Sequence, residues 1–232
     1  MEKRDTPAGR YYGDYPSVTT VLGIVDKPLL IPWATKKCAE YVAAHWEAGK
    51  AYDQPTIDAT LKAAKNRHKW LKDEAADLGT KAHDLVERIS KGQDVQTDGM
   101  DERIQNAVKA YREWWAEQTL VPVVTERRVA SSAHGYAGTL DGVFEDPHGR
   151  LLLVDYKTSN AVYETYLLQV AAYAYGYAEQ EGAEIDGAVI VRIGKAAGPP
   201  EIRPITRDEL PEMFDAFLAA LKLWRWVKAH KV

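Results

Sequence analysis

The sequence predicts an α/β protein in which helices flank a mixed central β-sheet. Three observations support this fold class. A turn-forming segment, residues 146–149, separates two stretches that read as the strands of a hairpin. A helical pattern over 162–179 follows the second strand, and an apolar strand over 188–193 follows that helix. Strands and helices in this order, with long helices on either side, favour a sheet covered by helical layers.

The individual elements follow from local signals. Polar N-caps, glycine stops and apolar residues spaced three and four apart mark the helices, and alternation or short apolar runs mark the strands. We expect one domain over 1–232, with a helical N-terminal part over about 17–119, a core over about 120–205 and a C-terminal helix over about 206–230. In chain order, the predicted elements are a short helix capped by Ser17 or Thr19, helices over 33–49, 57–70, 78–89 and 101–118, a strand over 122–130, the hairpin, the helix over 162–179, strands over 188–193 and 200–204, and a helix over 208–228 that Thr206 caps.

Composition and charge narrow the class of protein. Hydrophobic residues make up 46% of the chain and charged residues 28%, which is ordinary for a globular domain. The net charge of −4 means that any binding of nucleic acid must depend on local basic patches. The single cysteine, Cys38, excludes an internal disulfide and a four-cysteine cluster. With neither a signal-peptide pattern nor an apolar run of membrane-spanning length, we expect a cytoplasmic protein with no membrane partner.

The hairpin brings charged residues together. If the residues flanking the loop pair, Asp141 lies opposite Asp155 and Thr139 lies opposite Lys157. Side chains alternate across a strand, so Asp141, Asp155 and Lys157 then share one face. Two carboxylates directly opposite each other destabilise a sheet unless a cation lies between them, and hard oxygen ligands suit Mg²⁺ or Mn²⁺.

The sequence leaves a structural alternative open at this point. Asp155 and Lys157 can also form a same-face ion pair on a solvated sheet, with Asp141 as a turn former at the strand end. An Asp-x-Lys pattern in a strand is common, and the pattern alone favours this structural interpretation.

Three segments nevertheless resemble a known nuclease core. They are Gly138–Gly142 (GTLDG), Val154–Ser159 (VDYKTS) and Gln169-x-x-x-Tyr173, in the order and spacing of the PD-(D/E)XK nuclease superfamily. Within it, the match is to the branch that contains the RecB nuclease domain, the CRISPR-associated nucleases similar to it and the mitochondrial genome maintenance exonuclease. The resemblance implies a restriction-endonuclease-like core. It does not imply an iron–sulfur cluster, because this chain lacks the cysteines that carry one in several relatives.

The resemblance also implies roles for particular residues. Asp141 and Asp155 are expected to hold one or two Mg²⁺ or Mn²⁺ ions, with the backbone carbonyl of Tyr156 as a further ligand. Lys157 is expected to orient the attacking water and offset developing charge. Gln169 is expected to hold Lys157 or the nucleophile in place.

A second motif lies upstream, in the helix over 78–89. Gly79-x-x-x-His83-x-x-x-Glu87 resembles the first motif of the RecB-like branch, which implies that His83 is a metal ligand. Taken alone, a histidine on a helix is more often structural. Glu87 is a possible site residue that orients His83, approaches a second metal ion, or pairs with an arginine such as Arg88 or Arg127.

The remaining candidates concern substrate and orientation. Lys65 and Lys69 belong to a row of lysines on one face of a helix. This row either binds the phosphates of a nucleic-acid backbone or is simply a solvated helix face. Glu126, in the strand over 122–130, can face the site or pair with Arg127 or Arg128, and the pairing is favoured because no register fixes its side. The residues expected to contact substrate are Tyr173, Lys65, Lys69, Thr158 and Ser159.

The predicted function is metal-dependent hydrolysis of phosphodiester bonds in DNA. RecB-like free-standing nucleases process DNA ends, so the resemblance implies an exonuclease for single-stranded or frayed ends in recombination, repair or replication. A structure-specific endonuclease of the same fold is the nearest alternative. A nucleic-acid-binding protein with an inactive site is the alternative from a different class, although an intact set of Asp141, Asp155 and Lys157 argues against it.

Overall fold

The computed structural model describes residues 1–6, 9–25, 27–194 and 196–230. Its elements alternate between short N-terminal strands, helices and a C-terminal sheet-and-helix region. They are β1 (Lys3–Thr6), β2 (Gly9–Tyr12), β3 (Tyr15–Pro16), α1 (Val18–Leu22), α2 (Leu30–His45), α3 (Gln54–Ser90), α4 (Glu102–Ala116), β4 (Val121–Ser131), β5 (Tyr136–Glu145), β6 (Leu151–Lys157), α5 (Glu164–Glu181), β7 (Gly187–Arg192), β8 (Glu201–Thr206), a 3-10 turn (Arg207–Glu209) and α6 (Leu210–Ala229).

The central sheet has five strands in the order β4-β5-β6-β7-β8. Neighbouring strands are antiparallel except β6 and β7, which are parallel and are joined through α5. A parallel pair needs such a crossover, whereas the antiparallel pairs need only short loops. The prediction of an α/β fold with a mixed central sheet flanked by helices is therefore confirmed.

The hydrophobic core lies between the sheet and the helices α1, α5 and α6. Val21 of α1, Ala171 of α5 and Phe217 of α6 are each fully buried, and they pack with sheet residues such as Leu140 and Leu153. This burial explains why α5 is apolar around most of its circumference. The sequence-predicted packing of Val21 and Leu22 is also confirmed.

The predicted hairpin forms as its loop indicates. The amide of Asp146 donates to the carbonyl of Arg150 at 3.0 Å, and Gly149 has the left-handed φ of 74° that the loop requires. The register runs from Glu145 opposite Leu151 to Gly142 opposite Val154. Extended by one residue, this register places Asp141 opposite Asp155, as predicted. In the described residues, however, the regular ladder stops before that pair, and the amide of Tyr156 donates to Oδ2 of Asp141 at 2.7 Å.

Two parts of the fold differ from the prediction. The strands β1, β2 and β3 are two to four residues long, too short to show a period of two, and only turn formers were evident there. The two helices predicted over 57–70 and 78–89 are one continuous helix, α3, of 37 residues. Residues 71–77 contain no glycine or proline to end the helix, so it continues through them.

The chain forms two compact units. The first contains Met1–Val25 and Lys81–Val232, and the second contains Asp26–Thr80. In the second unit, the guanidinium of Arg67 lies 6.0 Å from the centre of the Tyr41 ring. A single nuclease domain over 1–232 stays a prediction. None of the helices in the described ranges combines the length and apolarity needed to cross a membrane.

Candidate active site

Charged residues of the first unit converge where β5 separates from β6. Asp141 is the centre of this group. Its Oδ2 accepts from the amide of Tyr156 and lies 3.2 Å from Nε2 of His83 on α3. The same Nε2 lies 3.0 Å from the carbonyl oxygen of Tyr156. The imidazole thus joins a β5 side chain to the β6 backbone, and its role as a metal ligand stays a prediction.

Asp155 is the most unusual residue of the group. Its side chain is 0% exposed, and Nζ of Lys157 lies 2.5 Å from its Oδ2. Apart from this ion pair with Lys157, neither carboxylate oxygen has a hydrogen-bond partner among the described residues. A buried carboxylate whose one partner is an ammonium keeps unsatisfied lone pairs, which is costly, and a divalent ion is one group that would satisfy them. The donor chemistry therefore fits Mg²⁺ or Mn²⁺.

Asp155 and Lys157 shift each other's pKa. Burial raises the pKa of Asp155 to about 6; the charge of Lys157 opposes this rise and that of Asp141 adds to it. Burial lowers the pKa of Lys157, but Asp155 and Asp141 outweigh burial and the pKa is raised overall. Lys157 is therefore cationic at neutral pH, and its ammonium also lies 4.9 Å from the centre of the Tyr166 ring.

His83 and Asp141 form a second charged pair. Burial lowers the pKa of His83, but the charge of Asp141 and its hydrogen bond outweigh burial and raise the pKa to about 9. Burial raises the pKa of Asp141, but His83 and Lys157 outweigh it and the pKa is lowered overall. His83 is therefore protonated and Asp141 ionised at neutral pH, and a metal ion that binds Nε2 must displace a proton.

Glu126 takes the position that the sequence analysis gave as the less favoured alternative, facing the site. Its Oε1 lies 4.0 Å from Nδ1 of His83, and one ligand atom from each of Glu126, His83 and Asp141 fits within a mutual distance of 4.8 Å, so the three could hold a metal ion. The expected arginine pairings are wrong: Arg127 pairs with Glu181 at 2.5 Å, and Arg128 donates to the carbonyl of Met1. A positive φ of 48° at Glu126 accompanies this placement, and no sequence pattern predicts that angle.

Charges of both signs lie near Glu126. Burial raises the pKa of this carboxyl group, and the charges of Asp141 and Glu87 raise it further, while His83 and Lys91 lower it. Glu87 itself pairs with Lys91, the residue that directly follows α3. The suggested pairing of Glu87 with an arginine is therefore wrong. Arg88 donates to the side chain of Gln93 instead, and Arg127 pairs with Glu181 of α5.

Gln169 and Tyr173 are one turn apart on α5 and contact each other. The amide of Gln169 donates to the Tyr173 hydroxyl at 3.0 Å. The Tyr173 ring is 4% exposed and packs against Gly138, where a Cβ atom would lie 2.5 Å from the ring. In this structure Tyr173 is thus a core residue beside the site. Its contact with substrate, and the contact of Gln169 with Lys157, stay predictions.

The other predicted substrate residues lie on accessible surfaces. Thr158 and Ser159 are partly exposed directly after β6, and the Ser159 hydroxyl donates to the carbonyl of Ala161 at 2.7 Å. Lys65 and Lys69 are exposed on the part of α3 that belongs to the second unit. Their roles stay predictions.

A mixed sheet with two aspartates, a lysine and a histidine at the point where two strands separate defines a class of metal-dependent hydrolases. The sequence model of the PD-(D/E)XK nuclease superfamily matches residues 43–229. The chain belongs to this superfamily. It is therefore a nuclease, a hydrolase that acts on nucleic acid, and the superfamily uses divalent metal ions. No curated protein gives a significant match.

Several solved structures are similar to the chain, including the two that follow. One is a protein from Eubacterium rectale provisionally named an exonuclease, with 12% identity over 94% of this chain and 83% of that protein, and a TM-score of 0.47. The other is a protein named SSO0001, with 13% identity over 53% of this chain and 60% of that protein, and a TM-score of 0.33.

Proposed function

We propose that this nuclease is a divalent-metal-dependent deoxyribonuclease of the RecB-like branch. It removes nucleotides from single-stranded or frayed DNA ends in recombination, repair or replication in the cytoplasm. The observation that carries the metal dependence is the buried Asp155 carboxylate, which lies beside Asp141 and has no partner other than Lys157 among the described residues. The preference for DNA ends is supported by the motifs shared with end-processing nucleases.

Four groups would hold one or two Mg²⁺ or Mn²⁺ ions. They are the carboxylates of Asp141 and Asp155, Nε2 of His83 and the carbonyl of Tyr156, which are hard or borderline ligands suited to these ions. When bound, such an ion polarises the phosphate and lowers the pKa of water.

The protein's own groups contribute positioning and charge. Asp155 and Asp141 keep Lys157 cationic, so its ammonium would orient the attacking water and offset the charge of the pentavalent phosphorus. The Gln169 amide would limit the positions available to Lys157 or to the water. Tyr173, Thr158 and Ser159 would contact the DNA strand near the site. Lys65 and Lys69 would bind phosphates of the DNA backbone.

A comparison of linear and covalently closed circular DNA tests this function. With Mg²⁺ or Mn²⁺, we expect digestion of linear DNA only, faster from single-stranded or frayed ends than from blunt ends, and none with EDTA. Nicked circles would instead indicate an endonuclease, and binding without cleavage would indicate an inactive binding protein; either result overturns the proposal. Asp141→Asn protein purified in parallel controls for contaminating nucleases, and RNA of the same sequence tests the preference for DNA.

A further inference from the structure

Glu126 has a backbone conformation that its strand does not require. Among the described residues, it is the only non-glycine residue with a positive φ, at 48°. Left-handed φ values are disfavoured for residues that carry a Cβ atom, most of all inside a β-strand. Such strain persists when surrounding structure enforces it, and it concentrates at functional sites.

The strand register shows what this conformation does. Thr125 pairs with Gly142 and Arg127 pairs with Leu140, so Glu126 occupies the position opposite Asp141, which the ladder skips. The strand resumes the same register after Glu126, and therefore no residue is inserted here. The unusual angle accompanies a carboxylate whose Oε1 lies 4.0 Å from Nδ1 of His83.

The two nitrogens of His83 face different groups. Nε2 lies 3.2 Å from Oδ2 of Asp141 and 3.0 Å from the carbonyl of Tyr156. An imidazole binds one ion through one nitrogen, so an ion shared with Asp141 takes Nε2 and leaves Nδ1 with its proton. Histidine ligands of metal ions usually donate that second N–H to a carboxylate or carbonyl, which fixes the tautomer and the ring orientation.

We propose that Glu126 is the positioning residue that accepts the Nδ1–H of His83 and so presents Nε2 to the metal ion. This proposal rests on the metal site of the proposed function. The distance of 4.0 Å must shorten by about 1 Å to make a hydrogen bond. Catalytic hydrogen bonds are often long before the site is filled, and the exposed carboxylate has room to close this gap.

Two measurements on the whole protein test the proposal. Titration calorimetry with Mn²⁺ should show affinity about 10- to 100-fold weaker for Glu126→Ala than for wild type. Glu126→Gln retains an acceptor oxygen and should bind more tightly than Glu126→Ala. Glu145→Gln is the matched control, since it removes one negative charge from an exposed position on β5, four residues from Asp141, and should leave the affinity unchanged.

The second measurement identifies the hydrogen bond itself. In protein labelled with ¹⁵N-histidine and saturated with Mg²⁺, wild type should show a slowly exchanging, downfield Nδ1–H signal that His83→Gln removes. In Glu126→Ala, the Nδ1–H of His83 should exchange rapidly with water. If Glu126→Ala binds Mn²⁺ as tightly as wild type, or if protection persists while affinity falls, the positioning role is overturned. The second result would make Glu126 a direct ligand.

Glu126→Gly separates positioning from folding. Glycine accepts a φ of 48° without strain, so this variant should melt no lower than wild type while binding Mn²⁺ about as weakly as Glu126→Ala. Tight Mn²⁺ binding by the glycine variant, or no Mn²⁺ binding by wild type, overturns the proposal. If wild type binds Mn²⁺ with the protected Nδ1–H signal but does not cleave DNA, the proposed function fails and the Glu126 assignment stands.

Discussion

Replacing Lys157 with methionine should destabilise the metal-free protein in a pH-dependent way. The substitution keeps an unbranched chain of similar volume but removes the ammonium that lies 2.5 Å from Asp155. The Lys157 side chain is 14% exposed and that of Asp155 is 0% exposed. Removing one partner of a buried ion pair costs about 3–5 kcal/mol. For a chain of this length, that corresponds to a Tm lower by roughly 6–20 °C.

The dependence on pH follows from Asp155. Its pKa is already raised to about 6 by burial, and without Lys157 it rises further. At pH 8 the variant must either keep an unpaired carboxylate or take up a proton, whereas at pH 5 the carboxyl group is already mostly protonated. The loss of stability should therefore be large at pH 8 and small at pH 5.

Thermal and urea unfolding in EDTA at both pH values measure this difference. The double variant Asp155→Asn/Lys157→Met removes both charges and should recover most of the stability that Lys157→Met loses. With metal present, Lys157→Met should cleave DNA at least about 10²-fold more slowly, since it lacks the cation beside the phosphate. Three results would refute this account of Lys157. They are an equal loss of stability at both pH values, a double variant whose stability loss is the sum of the two single losses, and a near-normal cleavage rate for Lys157→Met.

Three further predictions concern other residues. Asp155→Ala should abolish Mn²⁺-dependent cleavage but leave DNA binding intact in mobility-shift assays; retained cleavage would remove Asp155 from the site. Folding raises the pKa of His83 from 6.5 to about 9, so protonated His83 stabilises the folded state. This stabilisation is fully present below pH 6.5 and is lost as the pH rises through 9. Metal-free protein should thus lose up to about 3 kcal/mol of unfolding free energy between pH 7 and 9.5, and His83→Gln should lack this slope if the assignment is right. Gly138→Ala forces a Cβ atom to within 2.5 Å of the Tyr173 ring and should cost about 1–3 kcal/mol by urea unfolding. Gly176→Ala, whose nearest contact is 3.6 Å, is the control, and an equal loss there would contradict the packing argument.

The sequence predicts the hairpin and its register because both depend on local chemistry. The loop residues Asp146 and Gly149 fix where the strands turn, and counting from the loop gives the observed register as far as Gly142 opposite Val154, one residue before Asp141 and Asp155. A period of two then determines which side chains share a face. The helix α5 and the strand β7 follow from equally local patterns, so the mixed sheet was predictable.

Other features depend on contacts that no local pattern contains. The orientation of Glu126 depends on a single backbone angle and on a contact with His83, which lies 43 residues earlier in the chain on α3. The expected pairing of Glu126 with an arginine was therefore wrong. The N-terminal strands pair with one another over stretches too short to show alternation. The burial of Tyr173 depends on Gly138 leaving space for its ring.

The measurement that tests the central claim most directly is a crystal structure with Mn²⁺, located by its anomalous scattering. We expect a manganese peak in direct contact with carboxylate oxygens of Asp141 and Asp155 and with Nε2 of His83, together with the carbonyl of Tyr156. A peak confined to other residues, or carboxylates of Asp141 and Asp155 that turn to opposite faces of the sheet, would contradict the assignment of this site as the nuclease centre.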